Sequence, residues 1–386
     1  MKLTKLIIFL IIIFPIYSEE SFIPDPPPLN SSTYMLLDSV TGRVIAENNI
    51  DERIEPASLT KIMTDYVVAD QIDKGFVSID DEVLISENCW GKEESRKGSR
   101  MFIKEGQRVL LSDLIKGMII QSGNDASCSI AEHVAASEQG FVQLMQRYAQ
   151  QLGLENTNFR NVTGWPEEGH YSTAKDLSIL TRRLINDFPS HYALYKEKSF
   201  EFNGIRQPNR NGLLWQDETI DGVKTGHTQS AGYCLISSGI KNNTRLISIT
   251  LKGTSEKSRL RDNRKLLDYG FRYFRTKEVL SSKSPISIEE VWGGEKEAVE
   301  LFPAKDIFLT LSSRDFKRIQ SSIILNDYLL APLQEGQVVG KVELSIDEKF
   351  LAEVALVPGQ DIEALGFMGT IWANLKLIAY KFLKDD

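Results

Sequence analysis

Strand patterns at both ends of a long stretch, with helical patterns between them, restrict this chain more than any other feature. Tyr34-Met35-Leu36-Leu37-Asp38 and Arg43-Val44-Ile45-Ala46-Glu47 flank Ser39-Val40-Thr41-Gly42 and read as a two-stranded hairpin. Apolar residues then recur at spacings of three and four from Ser58 to Ile72, Leu111 to Ile120, Ala126 to Ala136, Gly140 to Leu152 and Asp176 to Ile185, the period of helices with one buried face. Strand texture returns from Thr219 to Gly226, Gly232 to Ile240 and Leu246 to Lys252, the last two joined by Lys241-Asn242-Asn243-Thr244-Arg245. A long helix from Glu256 to Phe274 follows. Such an order closes one antiparallel sheet from its two sequence ends and covers it with a helical insertion, an α+β arrangement predicted over residues 32–276.

The remaining chain has a different texture. Short alternating segments from Ala298 to Phe302, Ile307 to Leu311, Ser322 to Leu325, Val338 to Leu344 and Leu351 to Val357 predict a small all-β domain over 277–363. In 364–386, Phe367, Ile371, Leu375, Ile378 and Phe382 form one helical stripe, widened by Met368 and Trp372, with Lys376, Lys381 and Lys384 alongside. Spanning a bilayer would bury Lys376 and Lys381 at roughly 2.5 to 3.5 kcal/mol each, whereas a helix lying in the interface avoids that cost. The predicted role is an amphipathic membrane-surface anchor; docking on the protein's own surface is the alternative. At the other end, Met1 to Ser18 carries Lys2 and Lys5 before an apolar run too short to cross a bilayer comfortably, which reads as a signal peptide for export. Residues 19–31 hold Pro24, Pro26, Pro27 and Pro28 and read as a stiff leader outside the core.

At 386 residues the chain has room for two or three cores. Its net charge of −8 disfavours tracking along nucleic acid. Cys89, Cys128 and Cys234 are too few and odd in number for a disulfide framework, and read as buried thiols acting as small apolar residues. Four histidines without a close ligand pair give a catalytic metal little support, and no cofactor is expected. Gly-x-Ser-x-Gly is absent, which weighs against an esterase-type elbow.

Catalysis is suggested instead by Ser58 and Lys61. Residues three apart share a helix face, so the hydroxyl and amine can meet, and a neutral amine can take the hydroxyl proton. Lowering a lysine from about 10.4 to about 7 corresponds to roughly 4 to 5 kcal/mol, which demands apolar burial and a second cation. Ser-x-x-Lys recurs at Ser172 to Lys175 and Ser238 to Lys241, so alone it reads as a capping serine before a solvated lysine. The companions are decisive: Ser122-Gly123-Asn124 between two helical segments and Lys224-Thr225-Gly226 on a strand. Ser122 can relay a proton to a leaving amine, Asn124 can hold Lys61 or a substrate amide, and Lys224 supplies positive charge that lowers the Lys61 pKa. Thr225 offers a hydroxyl to a carboxylate, and Gly226 lets a peptide approach the strand edge.

With Ser58-Leu-Thr-Lys61, Ser122-Gly-Asn-Asp-Ala126 and Lys224-Thr-Gly-His-Thr228, the chain resembles the serine-type D-alanyl-D-alanine carboxypeptidases, low-molecular-mass penicillin-binding proteins similar to penicillin-binding protein 5. Gly169-His-Tyr-Ser-Thr-Ala174 and Asn209-Arg-Asn-Gly-Leu-Leu214 extend the resemblance over nearly everything after the proline leader. It implies a β-lactamase/transpeptidase-like fold with an added β domain and anchor. The implied activity is removal of the terminal D-Ala from peptidoglycan stem peptides through a Ser58 acyl-enzyme, with β-lactams as covalent inhibitors. It also implies a periplasmic enzyme attached peripherally to the outer face of the cytoplasmic membrane, an oxyanion hole from the N–H groups of Ser58 and His227, and Arg210 near the substrate carboxylate. Asn161-Val-Thr-Gly-Trp165 departs from the form seen in some relatives and leaves Thr163 and Trp165 without an assigned role. A β-lactamase, a D,D-endopeptidase and a non-catalytic wall-binding protein are the alternatives.

Overall fold

The computed structural model describes residues 23–384. The predicted signal peptide lies outside them. β1 (Thr33–Asp38) and β2 (Val44–Asn48) form the first hairpin, and a 3-10 turn over Ala57–Thr60 enters α1 (Lys61–Asp73). A ribbon of β3 (Glu82–Leu84) and β4 (Arg108–Leu110) brackets the short helices α2 (Glu87–Gly91) and α3 (Glu93–Lys97). Next come α4 (Leu111–Lys116), which widens into a π turn over Gly117–Gln121, then α5 (Asn124–Ala135), α6 (Glu138–Gln151), α7 (Ala174–Asp187) and α8 (Pro189–Tyr192). A second ribbon, β5 (Ser199–Phe202) with β6 (Ile205–Pro208), precedes β7 (Ile220–Thr228), β8 (Gly232–Lys241), β9 (Thr244–Gly253) and α9 (Glu256–Tyr273).

The main sheet runs β2-β1-β9-β8-β7, antiparallel throughout, so β1 from the start of the chain pairs with β9 from beyond the insertion. Alternation along these strands explains the layers. Met35, Leu37, Ile247, Ile249 and Leu251 join the core under the helical insertion, whereas Leu36, Leu235 and Leu246 face Leu266, Leu267 and Phe271 of α9. Both sheet faces are thereby covered, and β7 is left as an edge strand. The β8–β9 connection is tighter than the predicted loop. Asn242 and Asn243 both hold positive φ (51° and 61°), the conformation of a two-residue hairpin turn that asparagine tolerates.

β10 (Arg275–Leu280) opens the second body and was not anticipated, nor was β11 (Ser287–Trp292). Both expose charged residues on one face, which weakens the alternation signal. β12 (Ala298–Pro303), β13 (Ile307–Leu311), β14 (Gln320–Leu325), β15 (Leu329–Leu330), β16 (Gly340–Ile346) and β17 (Lys349–Pro358) complete it. Its six-stranded sheet has the order β14-β16-β17-β12-β11-β15, and β10 pairs with β13. Val299, Leu301, Val342 and Leu356 anchor a separate core. Thr276 joins the two bodies, its hydroxyl donating to Asp38 Oδ2 (2.5 Å) and lying 3.0 Å from that of Thr310.

α10 (Phe367–Lys384) touches the β domain through buried Leu377 and through Tyr380, whose ring stands 5.5 Å from that of Trp292. The predicted stripe is on another side: Phe367 is 81% and Trp372 63% exposed, with Met368, Ile371, Leu375 and Ile378 beside them. No helix among the described residues is long and apolar enough to cross a membrane.

Two expectations are corrected. The end of the proline leader does join the fold. Leu29 packs on the core beneath α9, and the N–H groups of Asn30 and Ser31 each donate to the buried carboxylate of Asp262 at 2.9 Å. That carboxylate needs donors, and the leader's backbone supplies them. Nor are all the cysteines free thiols: Cys89 on α2 is disulfide-bonded to Cys128 on α5, while Cys234 remains free and buried. Their 39-residue separation gave no sign that α2 packs across α5.

Candidate active site

Ser58 lies in the 3-10 turn rather than in the helix predicted to start there, and Lys61 is the first residue of α1. The tighter turn suits the pair, because at three residues per turn positions i and i+3 eclipse. Lys61 Nζ stands 3.2 Å from Ser58 Oγ. Its other partners are Asn124 Oδ1 at 2.7 Å and the Thr163 carbonyl at 2.8 Å, both accepting. A neutral amine has two N–H groups and one lone pair. Two carbonyl-type acceptors use the hydrogens, which leaves the lone pair for the Ser58 hydroxyl. The amine is 1% exposed, and burial pushes its pKa down to about 7, Arg210 assisting while Glu94 and Asp125 oppose.

The turn holds its position through strained backbone and close contact. Ala57, next to Ser58, has φ +48°. Gly164 (φ +80°) lies so close that an added Cβ would fall 1.7 Å from the Ala57 carbonyl oxygen. Behind the turn, the Thr60 hydroxyl meets His170 Nε2 at 2.9 Å, and burial pushes that imidazole down to about 4, neutral at physiological pH.

The π turn after α4 delivers the second motif. Ser122 ends it in the left-handed conformation (φ 66°), 2% exposed, and its hydroxyl has no hydrogen-bond partner among the described residues. Asn124 opens α5, its Nδ2 donating to the Glu94 carbonyl (2.8 Å) and its N–H to the Ser99 carbonyl (2.8 Å). The third motif is on edge strand β7. Lys224 is 2% exposed and donates to the Thr225 carbonyl at 3.3 Å; Thr225 is buried beside it. Gly226 lies against the Ser58 turn, an added Cβ there meeting the Pro56 carbonyl oxygen at 3.1 Å and Ala57 Cβ at 3.3 Å. The space expected for a peptide is therefore used first by residues 56 and 57. His227 is exposed, its ring 4.1 Å from that of Tyr233 across the strand pair.

The positive charge expected of Lys224 is opposed by its surroundings. Burial drives its pKa well below the lysine range, and Lys61, Arg210 and Arg259 push it further. Lys61 disfavours protonation of Lys224, and Arg210 disfavours protonation of both amines. Arg210 Nε donates to the Gln121 carbonyl (2.9 Å), with no carboxylate within 4.0 Å among the described residues. Arg259, on α9, reaches the Gly226 carbonyl (3.3 Å). Sequence reasoning missed Arg259 and the carbonyls of Thr163, Glu94 and Ser99.

Residues 20–255 match the family described as "D-alanyl-D-alanine carboxypeptidase", and residues 274–364 match "Penicillin-binding protein 5, C-terminal domain". The chain belongs to the D-alanyl-D-alanine carboxypeptidase family. It is 41% identical over 363 residues to D-alanyl-D-alanine carboxypeptidase DacA of Escherichia coli K12, covering 93% of this chain and 90% of that one. The crystal structure of penicillin-binding protein 5 from Haemophilus influenzae superposes with a TM-score of 0.81 at 40% identity, over 88% of this chain and 99% of that one. Family membership extends to the two-body architecture. By contrast, penicillin-binding protein D2 of Listeria monocytogenes, solved in an ampicillin-bound form, matches 64% of this chain (100% of its own) at 26% identity with a TM-score of 0.58.

Proposed function

We propose that this chain is an exported D-alanyl-D-alanine carboxypeptidase that trims peptidoglycan stem peptides through an acyl-enzyme on Ser58. The observation that carries this is the buried Lys61 amine, 3.2 Å from Ser58 Oγ and within hydrogen-bond distance of Asn124 Oδ1 and the Thr163 carbonyl. In the first step Ser58 Oγ bonds to the carbonyl carbon of the penultimate D-Ala while its proton passes to Lys61 Nζ. The N–H groups of Ser58 and His227 receive the oxyanion, on the turn and edge strand that Gly226 lets pack together. Breakdown then cleaves the C–N bond; the leaving D-Ala amine takes a proton from Lys61 through the Ser122 hydroxyl. Water, deprotonated by Lys61, attacks the acyl carbon; the ester bond to Ser58 Oγ breaks, the proton on Lys61 returns to that oxygen, and the shortened peptide leaves with a new terminal carboxyl group. Arg210, Thr225 and Lys224 hold the terminal carboxylate, with Arg210 providing the fixed charge. A β-lactam presents its carbonyl to the same serine and acylates it.

The exposed stripe of α10 supports peripheral attachment to the outer face of the cytoplasmic membrane. Its apolar residues find no cover within the described chain, and Lys376 lies beside Trp372 (5.8 Å to the ring), an arrangement suited to an interface.

The deciding test compares wild type and Ser58→Ala on uncross-linked and cross-linked muropeptides, with labelled penicillin in parallel. Release of D-alanine from the uncross-linked substrate and a persistent label, both lost in Ser58→Ala, are expected. Rapid turnover of the label would make it a β-lactamase, and cleavage confined to cross-links an endopeptidase.

A further inference from the structure

The segment that steadies Asn124 has a second side. Its carbonyls at Glu94 and Ser99 serve the catalytic asparagine, while other residues of the same segment line a groove of about 410 Å³ whose far wall is the turn of the β5–β6 ribbon. Three cations, Arg96, Arg100 and Lys104, border this groove together with the buried carboxylate of Asp125, which is engaged by the N–H groups of Met101, Phe102 and Ala126. None of the three cations has a carboxylate within 4.0 Å among the described residues, in a chain whose net charge is −8. Aromatic surface lies between them. Trp90 is 47% exposed, and Phe102 holds a positive φ (68°) beneath the Arg100 guanidinium, 4.9 Å from its ring. Ser95 lines the groove at 2% exposure, its hydroxyl without a hydrogen-bond partner among the described residues.

Cations without a direct ion pair, set over flat apolar faces beside a spare buried hydroxyl, match a ligand that alternates carboxylates with sugar or apolar faces. We propose that this groove is a second contact for the wall polymer, taking a carboxylate-bearing saccharide–peptide portion of the strand whose stem peptide occupies the Ser58 site. The inference rests on the carboxypeptidase reading and names what that site's substrate is attached to. Continuity favours the polymer over an anionic lipid surface, since one stretch of chain forms both the groove and the support of Asn124.

The test is Arg96→Glu with Arg100→Glu, assayed on polymeric uncross-linked peptidoglycan and on a short diacylated peptide ending in D-Ala-D-Ala. Reversing two rim charges is expected to lower kcat/KM on the polymer about tenfold and on the peptide less than about twofold. Added salt should weaken wild-type turnover of the polymer alone. Equal losses on both substrates, or no loss on the polymer, overturn the proposal. So does loss of binding to anionic phospholipid vesicles with polymer turnover intact, which would assign the groove to lipid. Wild-type inactivity on the short peptide would instead sink the carboxypeptidase reading, a distinct outcome.

Discussion

The seam between the Ser58 turn and β7 and the C-terminal helix both invert the ordinary partition of polar and apolar groups, in opposite directions. The seam buries Lys61 and Lys224; α10 leaves Phe367 and Trp372 in the open. Buried polar groups and exposed apolar patches are the informative departures in a folded chain. Their resolution differs. In the seam, Asn124, Thr163 and the Ser58 hydroxyl complete the amine from within the protein. On α10 nothing within the described chain covers the stripe.

Lys61→Met breaks the comparison most sharply, because it normalises the seam. Activity should fall by about 10³-fold or more, since the proton acceptor is gone. Stability should rise, because the amine's burial opposes folding. Between about pH 7 and its ordinary value near 10.5 the folded chain lacks a proton that the unfolded chain binds, so wild-type stability from this group increases as pH rises through that window. The advantage of Lys61→Met should accordingly be largest near pH 7 and fade toward pH 10, read from urea midpoints. A variant less stable than wild type at pH 7 would mean that the three hydrogen bonds outweigh the burial.

The seam also depends on a covalent staple. Cys89–Cys128 ties α2 to α5, whose first residue is Asn124. Cys128→Ala should cost about 2 to 4 kcal/mol of stability by urea denaturation, while vesicle binding through α10 stays unchanged. On the other side, Trp372→Glu with Leu375→Glu should weaken vesicle sedimentation about a hundredfold and leave turnover of the short peptide unaltered. Loss of turnover there would show that the two regions are not independent.

How much of this was readable follows from where the information resides. The antiparallel sheet and its insertion were legible because Met35 to Leu37 and Leu246 to Leu251 alternate cleanly between two covered faces. Ser58, Lys61 and Asn124 were legible as side chains with chemistry at telling intervals. The Thr163, Glu94 and Ser99 carbonyls were not, because any residue carries one and only the fold aims it. Arg259 was hidden for a related reason: on α9 it reads as part of a charged helix face, although the sheet brings it under Gly226. The disulfide and Asp262's hold on the leader are likewise contacts between distant segments with no local pattern to announce them.

The smallest expected effect tests whether the seam's electrostatics are as assigned. Turnover requires the neutral amine, so kcat/KM should rise with pH through a limb near 7 and level off above it. Burial sets that position first, and substitution of neighbours leaves burial largely intact. Arg210→Ala removes a fixed positive charge, which makes the ammonium easier to form and moves the limb upward. Glu94→Gln removes the opposing carboxylate and moves it downward, with Asp125 and the Lys92–Glu138 pair beside Glu94 unchanged. Arg210→Ala should also raise KM if the guanidinium holds the substrate carboxylate, but the limb in kcat/KM belongs to the free enzyme and separates the two effects. No shift in either variant would mean that Lys61 is governed by burial alone and that the guanidinium serves only the substrate, whereas shifts in the same direction would overturn the opposite signs assigned to Arg210 and Glu94.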